Sequence, residues 1–433
     1  MPAMRHDPID SELFKRNRQR LREKLPKQSI VIIRANDIMP TNADGTMPYM
    51  QNNDLYYLTG IAQEDTFLIL LPDAVEENER EILFVKETNK DIAIWDGEKL
   101  SKEQARQQSG IKCVEWSHGF DRFLHRLIPQ ANHIFLSTNE HLRAATTVET
   151  ANDRLIRDIQ ARYPLHDYRR LAPLMHRLRM IKDSEEMKWI QKACDITESG
   201  FRRVLSFIKP DVTEWEIEAE LAHEYLRNGS RGFAYTPIIG SGKNACVLHY
   251  LDNHDTCRDG ELVLMDCAAE YAGWMSDLTR TVPVNGRFSE RQRAVYDAVL
   301  RVYRGANDLL RPGNTPSRYH KQVVELMQAE LIQLGLIDAK EAKNQDETKA
   351  LVKKYFMHGT SHHMGLDVHD VAPPHEPFAE GMVMTIEPGI YIREEKLGVR
   401  LENDVVIGRD SNFDFMQNTP IEADEIEDLM NPA

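Results

Sequence analysis

Two segments of this 433-residue chain read as β-hairpins that carry facing acidic side chains, and this pattern constrains the fold more than any other feature. The first is ELVLMDCAAEYAGWMSDLTRTVPV, residues 261–284, where two apolar runs surround EYAG. A turn centred on Tyr271 and Ala272 would place Asp266 directly opposite Asp277, with Cβ atoms about 4.5–5.5 Å apart. Aspartate is depleted in strands, and two facing anions repel each other. The pattern therefore predicts a positive group between the carboxylates.

The second segment, MVMTIEPGIYIREEKLGVRLENDVVI at residues 382–407, repeats the arrangement with glutamates. A turn at residues 394–395 would bring Glu387 opposite Glu402. Because the Pro-Gly dipeptide after Glu387 can introduce a bulge, we predict proximity of the carboxylates and no particular hydrogen-bond pattern. For one hairpin, a chance pair on a solvated edge strand is the ordinary alternative. Two such pairs flanked by apolar residues favour a functional cluster, since unpaired buried charge is costly.

Histidines concentrate in one short stretch, FMHGTSHHMGLDVHD at residues 356–370. His358 and His362 are spaced like a zincin pair, but Gly359 follows His358, so the required H-E-x-x-H is absent. Four carboxylates and a histidine are instead the mixed oxygen and nitrogen ligands that two divalent ions bind. Two ions about 3.5–4 Å apart can share carboxylates and lower the pKa of a water between them. The sequence therefore favours metal-assisted hydrolysis.

Composition narrows the class of protein further. No run approaches the roughly 20 apolar residues of a membrane span, and the N-terminus lacks the apolar centre of a secretory signal. The formal net charge of −15 disfavours nucleic acid as the main partner. Five cysteines, odd in number and without a CxxC pair, favour reduced thiols and predict a cytoplasmic location.

The organisation along the chain predicts two domains. Short apolar runs in the first part predict buried strands of an α/β domain, at residues 29–35, 66–72, 80–86 and 133–137. Helical signals follow, with capping boxes predicted at Asp183 and Thr213 and two long helices at residues 289–313 and 315–335. We place the boundary at about residues 172–182.

Several motifs carry a resemblance to a known family: QNNDLYYLTG (51–60), IWDG (94–97), LHY (248–250), MDCAAEYAGWMSDLTRTVPVNGRF (265–288), HGTSHHMGLDVHD (358–370), TIEPGIYI (385–392) and GVRLENDVVI (398–407). The chain resembles the metal-dependent pita-bread peptidases of family M24, and among them the bacterial-type Xaa-Pro aminopeptidases (aminopeptidase P). The resemblance implies an α/β (α+β) fold class. Residues 1–175 would form an N-terminal creatinase/aminopeptidase-P-like α/β domain. Residues 176–433 would form a catalytic domain with two pseudo-equivalent halves around a curved antiparallel sheet.

The resemblance also implies the metal ligands, which are Asp266, Asp277, His362, Glu387 and Glu402. Asp277 and Glu402 would contact both ions, Asp266 one of them, and His362 and Glu387 the other. The cofactors would be two divalent ions, with Mn²⁺ expected first and Co²⁺, Fe²⁺ or Zn²⁺ accepted by the same ligands.

Six further residues receive roles from the resemblance: His249, His369, His358, Arg400, Tyr391 and Trp95. The first two would donate hydrogen bonds to substrate in the cleft, and His358 would lie at the cleft wall. Arg400 would be a permanent cation beside the carboxylates, and Tyr391 would line the cleft. Trp95 resembles a tryptophan that reaches a neighbouring subunit's active site. The ordinary alternatives are a core histidine at 249 and a buried tryptophan at 95, whereas His363 is interpreted as a packing residue.

The implied reaction is hydrolysis of the bond between an N-terminal residue and a following proline. A hydroxide between the metals would attack, Glu387 would accept a proton, and His249 and His369 would stabilise the oxyanion. Peptides with proline at position two are the expected partners, and a homodimer or homotetramer is expected. The nearest alternative is prolidase, which cuts Xaa-Pro dipeptides only. A methionine aminopeptidase, a metal-free creatinase-type hydrolase, a non-enzymatic pita-bread binding module and a cysteine hydrolase fit less well.

Overall fold

The computed structural model describes residues 5–144, 147–345 and 350–432. The chain forms two compact units, one spanning Asp7–Arg179 and the other running from Met180 onward together with the first residues of the chain. Among the residues that the structure describes, no helix is long and apolar enough to cross a bilayer.

The Asp7–Arg179 unit is built on a mixed sheet with strand order β4-β3-β2-β1-β5-β6. Its strands are β1 (Ser29–Arg34), β2 (Phe67–Leu70), β3 (Glu81–Val85), β4 (Cys113–Trp116), β5 (His133–Leu136) and β6 (Asp167–Arg170). Its helices are α1 (Ser11–Arg22), α2 (Asn53–Thr59), α3 (Lys90–Asp96), α4 (Lys102–Ser109), α5 (Phe120–Leu127), α6 (Ala151–Arg162) and α7 (Ala172–Arg179). The four apolar runs predicted as strands form β1, β2, β3 and β5, because their side chains build the core of this unit. The prediction of an α/β fold is confirmed here.

The second unit contains antiparallel strand pairs covered by long helices. Its strands are β7 (Ile238–Ser241), β8 (Leu262–Asp266), β9 (Glu270–Tyr271), β10 (Trp274–Met275), β11 (Thr279–Pro283), β12 (Val383–Ile386), β13 (Gly389–Ile392), β14 (Leu397–Arg400), β15 (Asn403–Val406) and β16 (Phe413–Asp414). Its helices are α8 (Ser184–Leu205), α9 (Glu214–Arg227), α10 (Glu290–Leu309), α11 (Pro316–Gln333), α12 (Ala339–Asn344) and α13 (Ala423–Met430). Asp183 and Thr213 close capping boxes at the starts of α8 and α9, as predicted.

The first acidic hairpin forms with a register that differs from the predicted one. Its turn is centred on Ala272 and Gly273, so Asp266 pairs with Thr279 and not with Asp277. Moving the turn by one residue shifts every partner by two positions. Because side chains alternate with a period of two, the shift leaves Asp266 and Asp277 on the same face, as diagonal neighbours.

The second acidic hairpin keeps the predicted register. Gly389 pairs with Arg400 in the β13–β14 ladder, and Ile386 pairs with Asn403 in the β12–β15 ladder. The two ladders are separate, and the glutamates lie in the break between them. Glu402 there forms a bridge with Thr279, which joins this hairpin to the first one. The two acidic hairpins therefore meet through backbone hydrogen bonding at Glu402, one of the residues that carry a carboxylate.

Candidate active site

The predicted metal ligands lie where strands end or break. Asp266 is the last residue of β8, Asp277 precedes β11, Glu387 separates β12 from β13, and Glu402 separates β14 from β15. His362 lies in a loop beside β12, where its carbonyl accepts a hydrogen bond from the Thr385 backbone N–H at 3.0 Å. Residues at strand ends are free of the ladder and can turn their side chains toward a common point.

Three of these residues form a compact group. Asp277, His362 and Glu402 each offer one ligand atom, and these atoms lie within 4.8 Å of one another. His362 Nε2 is 3.3 Å from Asp277 Oδ2 and 4.0 Å from Glu387 Oε1. The histidine thus connects one carboxylate of each hairpin.

Tyr235 links the two aspartates. Its hydroxyl lies 2.6 Å from Asp266 Oδ1 and 2.6 Å from Asp277 Oδ1. One hydroxyl carries one proton, so it donates to one carboxylate at a time and helps hold both in place. Burial, followed by the charges of the two aspartates, raises the pKa of Tyr235 well above its ordinary value. The phenol therefore stays protonated as a donor.

Arg400 and Thr279 hold the opposite side of the cluster. Arg400 Nη2 donates to Asp266 Oδ2 at 2.6 Å, and its Nε donates to Thr279 Oγ1 at 3.0 Å. Thr279 Oγ1 in turn donates to Glu402 Oε2 at 2.6 Å. Arg400 is 4% exposed, so its charge acts on the carboxylates at low dielectric. This chain of contacts orients one carboxylate from each hairpin.

The structure supports the fit of this cluster to divalent cations. Burial first, and the neighbouring carboxylates next, raise the pKa of Glu402 well above its usual value. Burial likewise raises the pKa of Asp266, and it raises that of Glu387 to about 7. Burial alone would lower the pKa of His362, but Asp277 and Glu387 outweigh it and raise the value to about 9. An excess of buried anions with oxygen and imidazole donors is the environment that a divalent ion neutralises.

The other histidines take different positions. His369 packs edge-on against His362, with ring centroids 4.3 Å apart. His358 donates or accepts at the Tyr391 hydroxyl, 2.8 Å away, and its Nδ1 lies 3.7 Å from Glu387 Oε2. His249 is exposed in a turn, which rules out the alternative of a core histidine.

The burial of Tyr391 and the exposure of Trp95 each correct one expectation. Tyr391 was predicted to line the cleft, yet it is 1% exposed, and its hydroxyl accepts a hydrogen bond from Arg400 Nη1 at 2.9 Å. Its position is that of a residue that orients the Arg400 guanidinium and His358. Trp95 is 89% exposed on α3, so the alternative of a buried tryptophan is wrong.

Sequence reasoning missed Tyr235, Thr279 and Asp404. Asp404 is buried and accepts the Asp277 backbone N–H at 2.8 Å. Thr279 and Asp404 lie inside the two predicted hairpins. There, a polar residue that interrupts the apolar alternation of a strand was a signal that could have pointed to them. Tyr235 lies in an irregular stretch before β7 and carries no pattern that points to the aspartates.

An α/β fold that gathers four carboxylates and a histidine in one cluster of buried and half-buried side chains is typical of a metal-dependent hydrolase. The sequence model of the metallopeptidase family M24 matches residues 188–409, and that of the aminopeptidase P N-terminal domain matches residues 14–135. The chain belongs to metallopeptidase family M24.

Individual relatives match over nearly the whole chain. The Xaa-Pro aminopeptidase of Escherichia coli K12 is 32% identical over 98% of this chain and 99% of its own length. A zinc-substituted E. coli aminopeptidase P in complex with product is similar in structure, with a TM-score of 0.87, 31% identity and coverage of 98% and 99% of the two chains. The Pseudomonas aeruginosa aminopeptidase PepP gives a TM-score of 0.88, with 30% identity and 98% of each chain covered. The predicted family and fold class are confirmed.

Proposed function

We propose that this metallopeptidase is an Xaa-Pro aminopeptidase, which hydrolyses the bond between an N-terminal residue and a following proline. The observation that carries the proposal is the convergence of Asp266, Asp277, His362, Glu387 and Glu402 in one cluster of buried and half-buried side chains. The full-length similarity to Xaa-Pro aminopeptidases supplies the substrate class.

Proline at the second position explains why a dedicated enzyme is needed. The bond before proline is a tertiary amide without an N–H. Peptidases that recognise this N–H therefore lose a hydrogen bond at the scissile site. An active site that polarises the scissile carbonyl group and does not need an amide N–H is suited to hydrolysing this bond.

The five residues would hold two divalent ions, and we propose Mn²⁺ as the first metal to test. Bound there, the ions would polarise the scissile carbonyl and make a water acidic enough to attack it. The chain itself keeps the ligands oriented, because Tyr235 holds the aspartates and Arg400 holds Asp266 and, through Thr279, Glu402.

Glu387 would accept a proton, and two histidines would stabilise the negative charge that develops on the substrate oxygen. We assign proton acceptance to Glu387, whose Oε2 faces His358 Nδ1 at 3.7 Å. His369 lies against the ligand His362, and exposed His249 is available to a peptide, so both can donate to the oxyanion.

The remaining parts of the proposal concern organisation. Residues 1–175 would be the N-terminal domain and residues 176–433 the catalytic domain. We propose a homodimer or homotetramer in which exposed Trp95 contacts a second copy of the chain. A cytoplasmic location is supported by five free thiols at Cys113, Cys194, Cys246, Cys257 and Cys267.

Mass-spectrometric product analysis tests this function. Mn²⁺-loaded protein is incubated with an Xaa-Pro dipeptide, an Xaa-Pro-Pro tripeptide and a matched Xaa-Ala-Pro tripeptide, each with a chelated control. We expect chelator-sensitive release of the first residue from the Xaa-Pro-Pro peptide and little from the alanine peptide. Cleavage of the dipeptide alone would identify a prolidase. No chelator-sensitive release from any peptide would contradict the proposal.

A further inference from the structure

A buried glutamate that is not one of the predicted metal ligands is hydrogen-bonded to the loop that carries His249. Glu214 is the first residue of α9 and is 0% exposed. Its carboxylate accepts five hydrogen bonds from residues 241–255, here called the 241–255 loop. The donors are the Ser241 backbone N–H (2.7 Å), Ser241 Oγ (2.8 Å), Asn244 Nδ2 (3.2 Å), Tyr250 Oη (2.8 Å) and the Asp255 backbone N–H (2.9 Å). The donors come from both ends of the loop and from its middle.

The backbone donors require a hydrogen-bond acceptor at both oxygens of residue 214. An ionised glutamate is an acceptor only, and each of its oxygens here accepts from one backbone N–H. Those N–H groups cannot reverse their polarity. Both oxygens of Glu214 are thus matched to this loop as acceptors.

His249 depends on that loop for its position. Its side chain is exposed, so packing does not fix it, and its neighbour Tyr250 is bonded directly to Glu214. Tyr250 is 7% exposed and packs in a small apolar cluster with Tyr391 and Leu264. Leu248, on the other side of His249, packs against the same cluster. The loop therefore delivers His249 to the neighbourhood of the site.

We infer that Glu214 is a positioning residue for catalysis, which holds the 241–255 loop so that His249 faces the substrate. This inference rests on the proposed function, since it requires that His249 contacts the substrate. Among the described residues, the carboxylate of Glu214 is hydrogen-bonded to the 241–255 loop and to none of the metal ligands, so its effect on the reaction must pass through the loop.

A double-mutant cycle tests the inference. Wild type, Glu214→Gln, His249→Ala and the double variant are compared for kcat/KM on an Xaa-Pro-Pro tripeptide. In either orientation, the Gln amide places its NH₂ against a backbone N–H, so we expect kcat/KM to fall by about tenfold to a hundredfold. In the His249→Ala background, the same change should cost less than about threefold, because coupled residues are not additive. Equal losses in both backgrounds, or no loss in either, would overturn the inference.

Hydrogen exchange gives a readout that does not depend on activity. We expect the backbone amides of Ser241 and Asp255 to exchange faster in Glu214→Gln, with metal content unchanged. Tyr250→Phe is a milder variant that keeps the fold and should lower kcat/KM less, in the same direction. Glu216→Gln is the matched control, because Glu216 is an exposed capping-box residue in the same turn of α9 and glutamine can fill that role. Its kcat/KM and loop exchange should equal those of wild type.

The proposed function and the role of Glu214 can fail separately. If wild type releases no first residue from the tripeptide, the proposed function fails, and the exchange data alone decide whether Glu214 holds the loop. If wild type is active and the cycle is additive, only the role of Glu214 is overturned.

Discussion

The two acidic hairpins differ in how their carboxylates are supported. In the aspartate hairpin, residues 262–283, Tyr235 and Arg400 hold the carboxylates through hydrogen bonds at 2.6 Å. In the glutamate hairpin, residues 383–406, Glu402 accepts from a threonine hydroxyl, and Glu387 faces two histidines. The aspartate side is therefore organised by the protein itself. The glutamate side depends more on a cation, because burial raises the pKa of both of its glutamates and His358, with a pKa lowered to about 3, supplies no compensating charge near pH 7.

The largest expected effect comes from removing Asp277, the aspartate that His362 connects to the glutamate hairpin. Asp277→Ala removes this proposed metal ligand. We expect loss of at least one bound metal ion and a fall in kcat/KM of more than about 100-fold, since even an outer hydrogen-bond partner costs 10–100-fold. Metal content by mass spectrometry and peptide kinetics measure both. Retention of two Mn²⁺ equivalents with full activity would show that the site is assigned wrongly.

Tyr235→Phe breaks the support of the aspartate hairpin alone. We expect metal affinity or kcat/KM to fall by about 10–100-fold, because both aspartates lose their shared hydroxyl. Tyr296→Phe is the matched control, since its hydroxyl donates to the Ile421 carbonyl. That variant should lose some stability and keep its metal affinity. Equal metal affinity in the two variants would argue against a role for Tyr235.

The glutamate hairpin should dominate the pH dependence of metal-induced stability. The pKa of Glu387 is about 7 in the metal-free fold, above the roughly 4.3 of an unfolded chain. The fold therefore binds more protons than the unfolded chain between these values, and metal-free stability falls as pH rises through them. Metal binding requires the deprotonated form, so the gain in melting temperature on adding Mn²⁺ should be larger at pH 8 than at pH 6. A gain that is equal or smaller at pH 8 would contradict this expectation.

The smallest effects concern the two turns. Ala272 in the aspartate hairpin and Lys396 in the glutamate hairpin both have φ of 53°, a left-handed conformation that favours glycine. Ala272→Gly and Lys396→Gly should each stabilise the fold by about 1 kcal/mol or less, because relief of strain exceeds the entropy that glycine adds to the unfolded chain. Thermal melting measures the change, and kcat/KM should stay constant. A clear fall in melting temperature would mean that the turn is not left-handed.

The hairpins also show which parts of the fold could be predicted from the sequence. The glutamate register followed from the spacing of apolar residues around a four-residue turn. The aspartate turn was misplaced by one residue, although glycine at the second turn position is the stronger signal for a two-residue turn. The error did not matter for the site, because a two-position shift keeps side chains on their faces.

Other features of the fold and of the site could not be predicted from the spacing of residues in the sequence. β6 has the sequence DYRR and is largely exposed, as expected of a charged edge strand that lacks apolar alternation. Tyr235 and Glu214 act through contacts with residues 31 to 42 and 27 to 41 positions away, respectively. Such contacts depend on tertiary packing, and no local period encodes them. The proximity of the four carboxylates could be predicted because hairpins turn short-range spacing into proximity, whereas the choice of His362 as a ligand came from the resemblance to the M24 peptidases.

Anomalous diffraction from Mn²⁺-soaked crystals tests the central claim most directly, namely that the two hairpins jointly hold two metal ions. We predict two separate manganese peaks inside the cluster, with Asp277 and Glu402 contacting both, Asp266 contacting one, and His362 and Glu387 contacting the other. A single peak held by one hairpin, or peaks outside the cluster, would contradict the claim.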